Sequence, residues 1–111
     1  MPQQFRGVKN VFTSVYENII VVISYDNRVD ILNYEFMVAV RGLQFSSTSN
    51  PIHVVIVEGL RHLLISCSDG NIYIFKFLFE TYQKFNIDLI SKIKLNSLVI
   101  YEHKEANINN L

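Results

Sequence analysis

The apolar residues of this chain form short runs separated by polar turn formers. Ile19–Ile23 and Val54–Val57 are apolar throughout instead of alternating with polar residues. A strand covered on both faces has this pattern, whereas a strand with one wet face alternates. The runs are rich in Ile and Val, whose branched side chains suit a pleated surface. The sequence therefore predicts an all-β fold with strands buried on both sides.

The turn formers divide these runs into two series of four strands. The strands are predicted at Val11–Val15, Ile19–Ser24, Arg28–Asn33 and Phe36–Val40, then at His53–Val57, His62–Cys67, Asn71–Phe77 and Phe79–Phe85. Asp26 with Asn27, and Asp69 with Gly70, are predicted as structural turns, because Gly supplies a positive φ and Asp and Asn tolerate one. The segment Asn86–Lys94 fits either a short helix capped by Asn86 or an outer strand.

The two series repeat each other at a spacing of 43 residues. Residues 18–31 correspond to residues 61–74, so that Asp26 falls on Asp69 and Ile31 on Ile74. A repeat of about 40–45 residues with this strand pattern is the size of one β-propeller blade. We therefore predict a single β domain over residues 1–111. Within it we expect a first blade-like repeat at 8–45, a second at 51–88, and a partial third repeat with a frayed tail at 95–111.

The segment Leu63–Phe77 resembles the second and third strands of a WD-repeat blade. Ser66 and Ser68 occupy the small positions of that family, Asp69-Gly70 its turn, Ile72 and Ile74 its inward apolar positions, and Phe75-Lys76 the place of its Trp-Asp pair. The Gly-His pair that the family carries before the first strand is missing from both units. The resemblance implies a β-propeller fold and a non-catalytic role as a protein-interaction scaffold.

Two blades and a part are fewer than a closed propeller contains, since propellers close with about four to eight. Terminal blades would then need a neighbour: further blades of the same protein, other protein chains, or copies of this chain in a homo-oligomer. The alternative is a small β-sandwich or barrel that closes on itself and binds an apolar small ligand.

An aromatic run from Phe75 to Phe85 is predicted either as core or as an outer face that a partner covers, because apolar patches of this size are rarely left to water. The candidate partner-contact residues are Tyr73, Phe75, Phe77, Phe79 and Tyr82.

Composition and charge argue against several function classes. Ten basic and ten acidic residues give a net charge of zero, so no long-range field attracts nucleic acid. Cys67 is the only cysteine, which excludes an intramolecular disulfide and a zinc site with two thiolates. His53, His62 and His103 are scattered without metal-ligand spacing. We therefore expect no enzymatic activity, no metal and no cofactor.

The chain also carries no recognisable targeting signal. Its first residues lack the apolar core of a signal peptide, and its apolar runs are too short to span a bilayer. The sequence thus predicts an intracellular, cytoplasmic protein without a membrane span.

Overall fold

The computed structural model describes residues 7–81 and 83–94, and within these ranges all regular secondary structure is β-strand. The strands are β1 (Val8–Ser14), β2 (Ile19–Ser24), β3 (Arg28–Asn33), β4 (Ala39–Gln44), β5 (Pro51–Val57), β6 (His62–Cys67), β7 (Asn71–Thr81) and β8 (Lys84–Lys94). They form two antiparallel sheets, β1-β2-β3-β4 and β5-β6-β7-β8, in each of which every strand pairs with the next. The predicted all-β class is confirmed. The predictions for Tyr82 and for residues 95–111 lie outside the described residues.

The hairpins predicted at the two Asp turns are present. Ile20 pairs with Leu32 between β2 and β3, and Leu64 pairs with Ile74 between β6 and β7. In the first turn the Asn27 N–H donates to the Ser24 carbonyl at 3.2 Å, and in the second the Gly70 N–H donates to the Cys67 carbonyl at 3.1 Å. The backbone is left-handed at both donors, with φ of 68° at Asn27 and 87° at Gly70. Asn and Gly are residues that tolerate this conformation.

The 43-residue repeat extends to other backbone hydrogen bonds. The Tyr34 N–H donates to the Asn18 carbonyl, as the Phe77 N–H donates to the Arg61 carbonyl, and both distances are 2.9 Å. Asn18 and Arg61 are both left-handed, with φ of 63° and 58°. The sequence repeat is therefore a repeat of backbone geometry, and the two sheets are two copies of one unit.

The main core lies between the two sheets. Alternate residues of β2, namely Ile19, Val21 and Ile23, are fully buried there with Leu63 and Ile65 of β6. The other residues of β2 point to the opposite side of the first sheet, where Ile20, Val22 and Leu32 form a second, smaller cluster. β2 is therefore apolar at almost every position because both of its faces carry apolar contacts.

The fourth strand of the first sheet differs from its prediction at Phe36–Val40. The Asn33 side-chain oxygen accepts a hydrogen bond from the Phe36 N–H at 2.6 Å, and the Asn33 carbonyl accepts one from the Met37 N–H at 2.8 Å. These bonds form a turn in which Met37 has a φ of 58°. β4 consequently begins at Ala39 and ends at Gln44, so the prediction was wrong for three of its five residues.

The last hairpin of the second sheet also differs from its prediction. β7 continues to Thr81, so Phe79–Phe85 is not one strand. The chain reverses after β7, and the Thr81 hydroxyl accepts hydrogen bonds from the N–H groups of Gln83 and Lys84, both at 3.2 Å. The segment Asn86–Lys94 lies within β8, so the strand alternative is correct there and the helix alternative is wrong.

Candidate interaction surfaces

The outer side of the first sheet carries an apolar surface, which we call the first open face: Val8, Val11, Ile20, Val22, Leu32 and Met37. These side chains line a cavity of about 230 Å³. Ile20 and Val22 are buried by their own sheet, but Val11 is 48% exposed and Met37 is 61% exposed. A contiguous surface of this kind is a typical site of association.

A charged pair lies on the same side of the first sheet. Arg28 Nε donates to both carboxylate oxygens of Asp30, at 2.9 and 3.2 Å. Gly42 on β4 lies beneath the guanidinium, and any Cβ at this position would collide with Arg28. Asp30 is buried, and burial raises the pKa of its carboxyl above the ordinary value although Arg28 acts to lower it.

The outer side of the second sheet carries a corresponding surface, which we call the second open face. Its members alternate along β5, β6 and β7 with residues of the main core, and they are Val55, Val57, Leu64, Ile72 and Ile74. Val55 is exposed and the other four are half-buried. Like the first open face, this surface faces away from the main core between the sheets.

Polar contacts join the two sheets at the turns that follow β1 and β5. The Ser14 hydroxyl donates to Glu58 Oε2 at 2.6 Å, and the Gly59 N–H donates to Glu17 Oε2 at 2.6 Å. Arg61 Nε lies 3.8 Å from the other oxygen of Glu17. Glu17 is only 8% exposed, so its hydrogen bonds are well shielded from water. These contacts fix one sheet relative to the other.

The predicted turn residues Asp26, Asn27, Asp69 and Gly70 lie in the β2-β3 and β6-β7 turns. Asp69 accepts hydrogen bonds from Asn71 through the backbone N–H at 3.1 Å and the side-chain amide at 2.9 Å. Desolvation opposes ionisation of Asp69, but these hydrogen bonds hold the pKa of its carboxyl below the ordinary value.

Four of the predicted partner-contact residues, Tyr73, Phe75, Phe77 and Phe79, lie on the side of β7 that faces the first sheet. Phe77 is 1% exposed, and Tyr73 contacts Phe45 edge to face with the ring centroids 5.3 Å apart. Phe75 and Phe77 are buried in the core, and Tyr73 and Phe79 are partly buried and pack against it.

Cys67 and His53 each lie in a packed environment. Cys67 is buried, and burial raises the pKa of its thiol, which disfavours the reactive thiolate. His53 packs against Phe12 with the ring centroids 4.8 Å apart. In residues 7–81 and 83–94, no group of three His, Cys, Asp or Glu side chains is placed to hold a metal ion. The same ranges contain no helix long and apolar enough to cross a membrane.

Comparisons with known proteins find similarity in structure but not in sequence. No protein-family model matches the chain, and no curated protein is significantly similar to it. Its structure is similar to the β-propeller domain of Cps50 (Swd1) from Myceliophteria thermophila, with a TM-score of 0.61 and 13% identity over 78% of this chain and 27% of that one. It is also similar to the WD40 domain of SCAP from fission yeast, with a TM-score of 0.58 and 20% identity over 81% of this chain and 22% of that one.

These similarities establish the fold. The two sheets are blades of the WD40 β-propeller type, as the resemblance in the sequence implied, and together they form an incomplete propeller. The chain spans about a quarter of the length of the two propeller domains.

The sequence predicted that terminal blades need a neighbour, but it did not identify the residues of the open faces or the contacts of Glu17. A run that is apolar at every position does not indicate which of its two faces the rest of the chain covers. The 43-residue step provides a usable signal, because Val11 and Ile20 fall on Val54 and Leu63. The equivalents of core residues of one blade identify the face of the other blade that lies away from the main core.

Proposed function

We propose that this chain is a non-catalytic protein-interaction scaffold whose two open faces are covered by other protein surface. The observation that carries the proposal is the first open face, in which Val11 and Met37 remain 48% and 61% exposed around a cavity lined only by apolar residues. At roughly 25 cal/mol for each Å² of apolar area removed from water, covering a few hundred Å² is worth several kcal/mol before the entropic cost of association.

The partners in this proposal are protein surfaces: further blades of the same protein, another chain, or a second copy. The zero net charge provides no general attraction for nucleic acid. We also place the scaffold in the cytoplasm, where thiols stay reduced, in keeping with a single buried cysteine that has no partner for a disulfide.

The polar contacts between the sheets support a rigid scaffold. Glu17 links the β1-β2 turn to Gly59 and Arg61 in the β5-β6 turn. Ser14, the last residue of β1, is hydrogen-bonded to Glu58 in the same turn of the second sheet. Two blades held in this way present their loops and outer faces in a fixed arrangement, so a partner meets a surface that does not need to be ordered on binding.

Sedimentation velocity of the 111-residue chain, combined with binding of a hydrophobic dye, tests this proposal. We expect the isolated chain either to self-associate or to bind the dye strongly as a partly unfolded species. A folded monomer at micromolar concentration that leaves the dye unbound would contradict the scaffold. That outcome would instead favour a small closed β domain that binds an apolar ligand.

A further inference from the structure

We infer that the second open face of one copy docks on the first open face of another copy, so that copies of this chain assemble head to tail into a closed ring. This inference rests on the proposed function, in which protein surface covers both faces. Its starting point is the 43-residue repeat. Val21, Val29 and Ile31 of the first sheet face the main core, and their equivalents are Leu64, Ile72 and Ile74 on the second open face. Likewise, Leu63 of the second sheet packs in the main core against the first sheet, and its equivalent is Ile20 on the first open face.

A second copy can therefore dock as the two sheets of one chain already do. The central residues of the internal interface are apolar on both sides, and they are Val21, Val29 and Ile31 from the first sheet and Leu63, Ile65 and Phe75 from the second. Their equivalents between two copies are also all apolar, and they are Leu64, Ile72 and Ile74 from one copy and Ile20, Val22 and Leu32 from the other.

The centre of the first open face is already closely packed in the single chain. Ile20, Val22 and Leu32 are 8%, 6% and 4% exposed. The area newly covered between two copies therefore comes mainly from the residues around this centre, of which Val11 and Met37 are 48% and 61% exposed.

The rim of the interface differs between the internal contact and the contact between copies. Internally it is polar, with Ser14 bonded to Glu58 and Glu17 bonded to Gly59. Between two copies, Val57 of one copy takes the place of Ser14, and Val15 of the other takes the place of Glu58. In the same way, Leu60 takes the place of Glu17, and Tyr16 takes the place of Gly59.

All four of these rim equivalents are apolar or aromatic. Val15, Tyr16 and Leu60 are 67%, 74% and 62% exposed in the single chain. At these four positions both sides of the interface have apolar or aromatic side chains in place of the polar contacts, while Asn18, the equivalent of Arg61, remains polar. This complementarity singles out a second copy as the occupant.

The margin of the second open face limits the strength of the association. At this margin, His62 and Ser66 occupy the positions equivalent to Ile19 and Ile23, which are fully buried in the first sheet. The contact between copies is therefore weaker than the contact between sheets, and the assembly should dissociate on dilution. A head-to-tail contact leaves one uncovered face at each end unless it closes. Because propellers close with about four to eight blades, two to four copies complete the ring.

Two variants, each blocked on one face, test the ring in the 111-residue chain. The first-face variant carries Val11→Asp and Tyr16→Asp, and the second-face variant carries Val55→Asp and Leu60→Asp. All four positions are exposed in the single chain, so the blades should still fold, as circular dichroism will check. The matched control is Tyr25→Asp, which removes a 70% exposed aromatic residue in the β2-β3 turn, outside both faces.

We expect the wild type and the Tyr25→Asp control to sediment as a discrete assembly of two to four copies, and each face variant alone to sediment as a monomer. An equimolar mixture of the two face variants should form a 1:1 dimer, because each retains the one face that the other lacks. A mixture that stays monomeric while the wild type self-associates would overturn the ring and leave the scaffold intact. Open-ended aggregation of the wild type would have the same consequence. A wild type that binds the hydrophobic dye without forming a discrete assembly would likewise overturn the ring and leave the scaffold intact. A folded wild-type monomer that leaves the dye unbound would overturn both.

Discussion

Gly70 allows the repeat geometry to be tested by a single substitution. Its φ of 87° lies in the left-handed region, and its N–H donates to the Cys67 carbonyl to close the β6-β7 turn. An L-residue in this conformation costs about 1–2 kcal/mol, and a β-branched side chain adds to that cost. We therefore expect Gly70→Val to lower the free energy of unfolding by about 2–3 kcal/mol.

Gly70→Asn is the matched control for this substitution, because Asn27 holds the equivalent position of the first blade at a φ of 68°. Asn tolerates the left-handed region better than other residues, so the control should lose less than about 1 kcal/mol. Comparison of Gly70→Val with Gly70→Asn thus separates backbone strain from the mere addition of a side chain.

The assay is equilibrium urea unfolding followed by far-ultraviolet circular dichroism, since the chain contains no Trp. All proteins are compared at one concentration, because association of copies would make stability concentration-dependent. With a slope of about 1–3 kcal/mol per M, a loss of about 2 kcal/mol lowers the midpoint by roughly 1 M. Equal midpoints for the Val and Asn variants would refute the strain argument.

Two further predictions concern the charged side chains. Glu17→Ala removes the acceptor of the 2.6 Å hydrogen bond from the Gly59 N–H, so the free energy of unfolding should fall by about 1.5–3 kcal/mol. Glu17→Gln keeps an acceptor and should lose less. Equal losses for the two variants would contradict a specific hydrogen bond. Burial raises the pKa of the Asp30 carboxyl above its ordinary value of 3.8. The ionised carboxylate therefore lowers the free energy of unfolding at neutral pH. This loss of stability disappears as the pH falls through the raised pKa toward 3.8. The stability of Asp30→Asn relative to wild type should therefore decline between neutral pH and about pH 4, and a constant difference would contradict this sign.

The central strands of both blades were predictable because apolar β-formers lie between strong turn residues. Ile19–Ser24, Arg28–Asn33 and His62–Cys67 have the bounds that the sequence indicated. The fourth strands were harder because β4 and β8 are edge strands with mostly exposed, mixed residues. Their start points depend on turns closed by the side chains of Asn33 and Thr81, which hydrophobic periodicity does not reveal.

The surfaces were less predictable than the strands for a different physical reason. Glu17 is a polar residue in a predicted turn, and its acceptor role depends on Gly59, which lies 42 residues further along the chain. Likewise, Ile20 and Ile19 are identical side chains on neighbouring positions, yet one faces the open side of the sheet and the other the main core. Only the packing of the two sheets distinguishes them.

The different chemistry of the internal interface and the open faces has a consequence for assembly. The contact between the two sheets includes charged hydrogen bonds at Glu17 and Glu58, which require particular partners at particular distances and so fix the relative position of the blades. The open faces instead offer apolar side chains, which give a non-directional driving force. In the ring proposed above, a pair of blades with a fixed geometry associates reversibly through these faces. Tyr16 and Leu60 lie at the rim of that contact and are 74% and 62% exposed in the single chain, so substitutions there should weaken association more than folding.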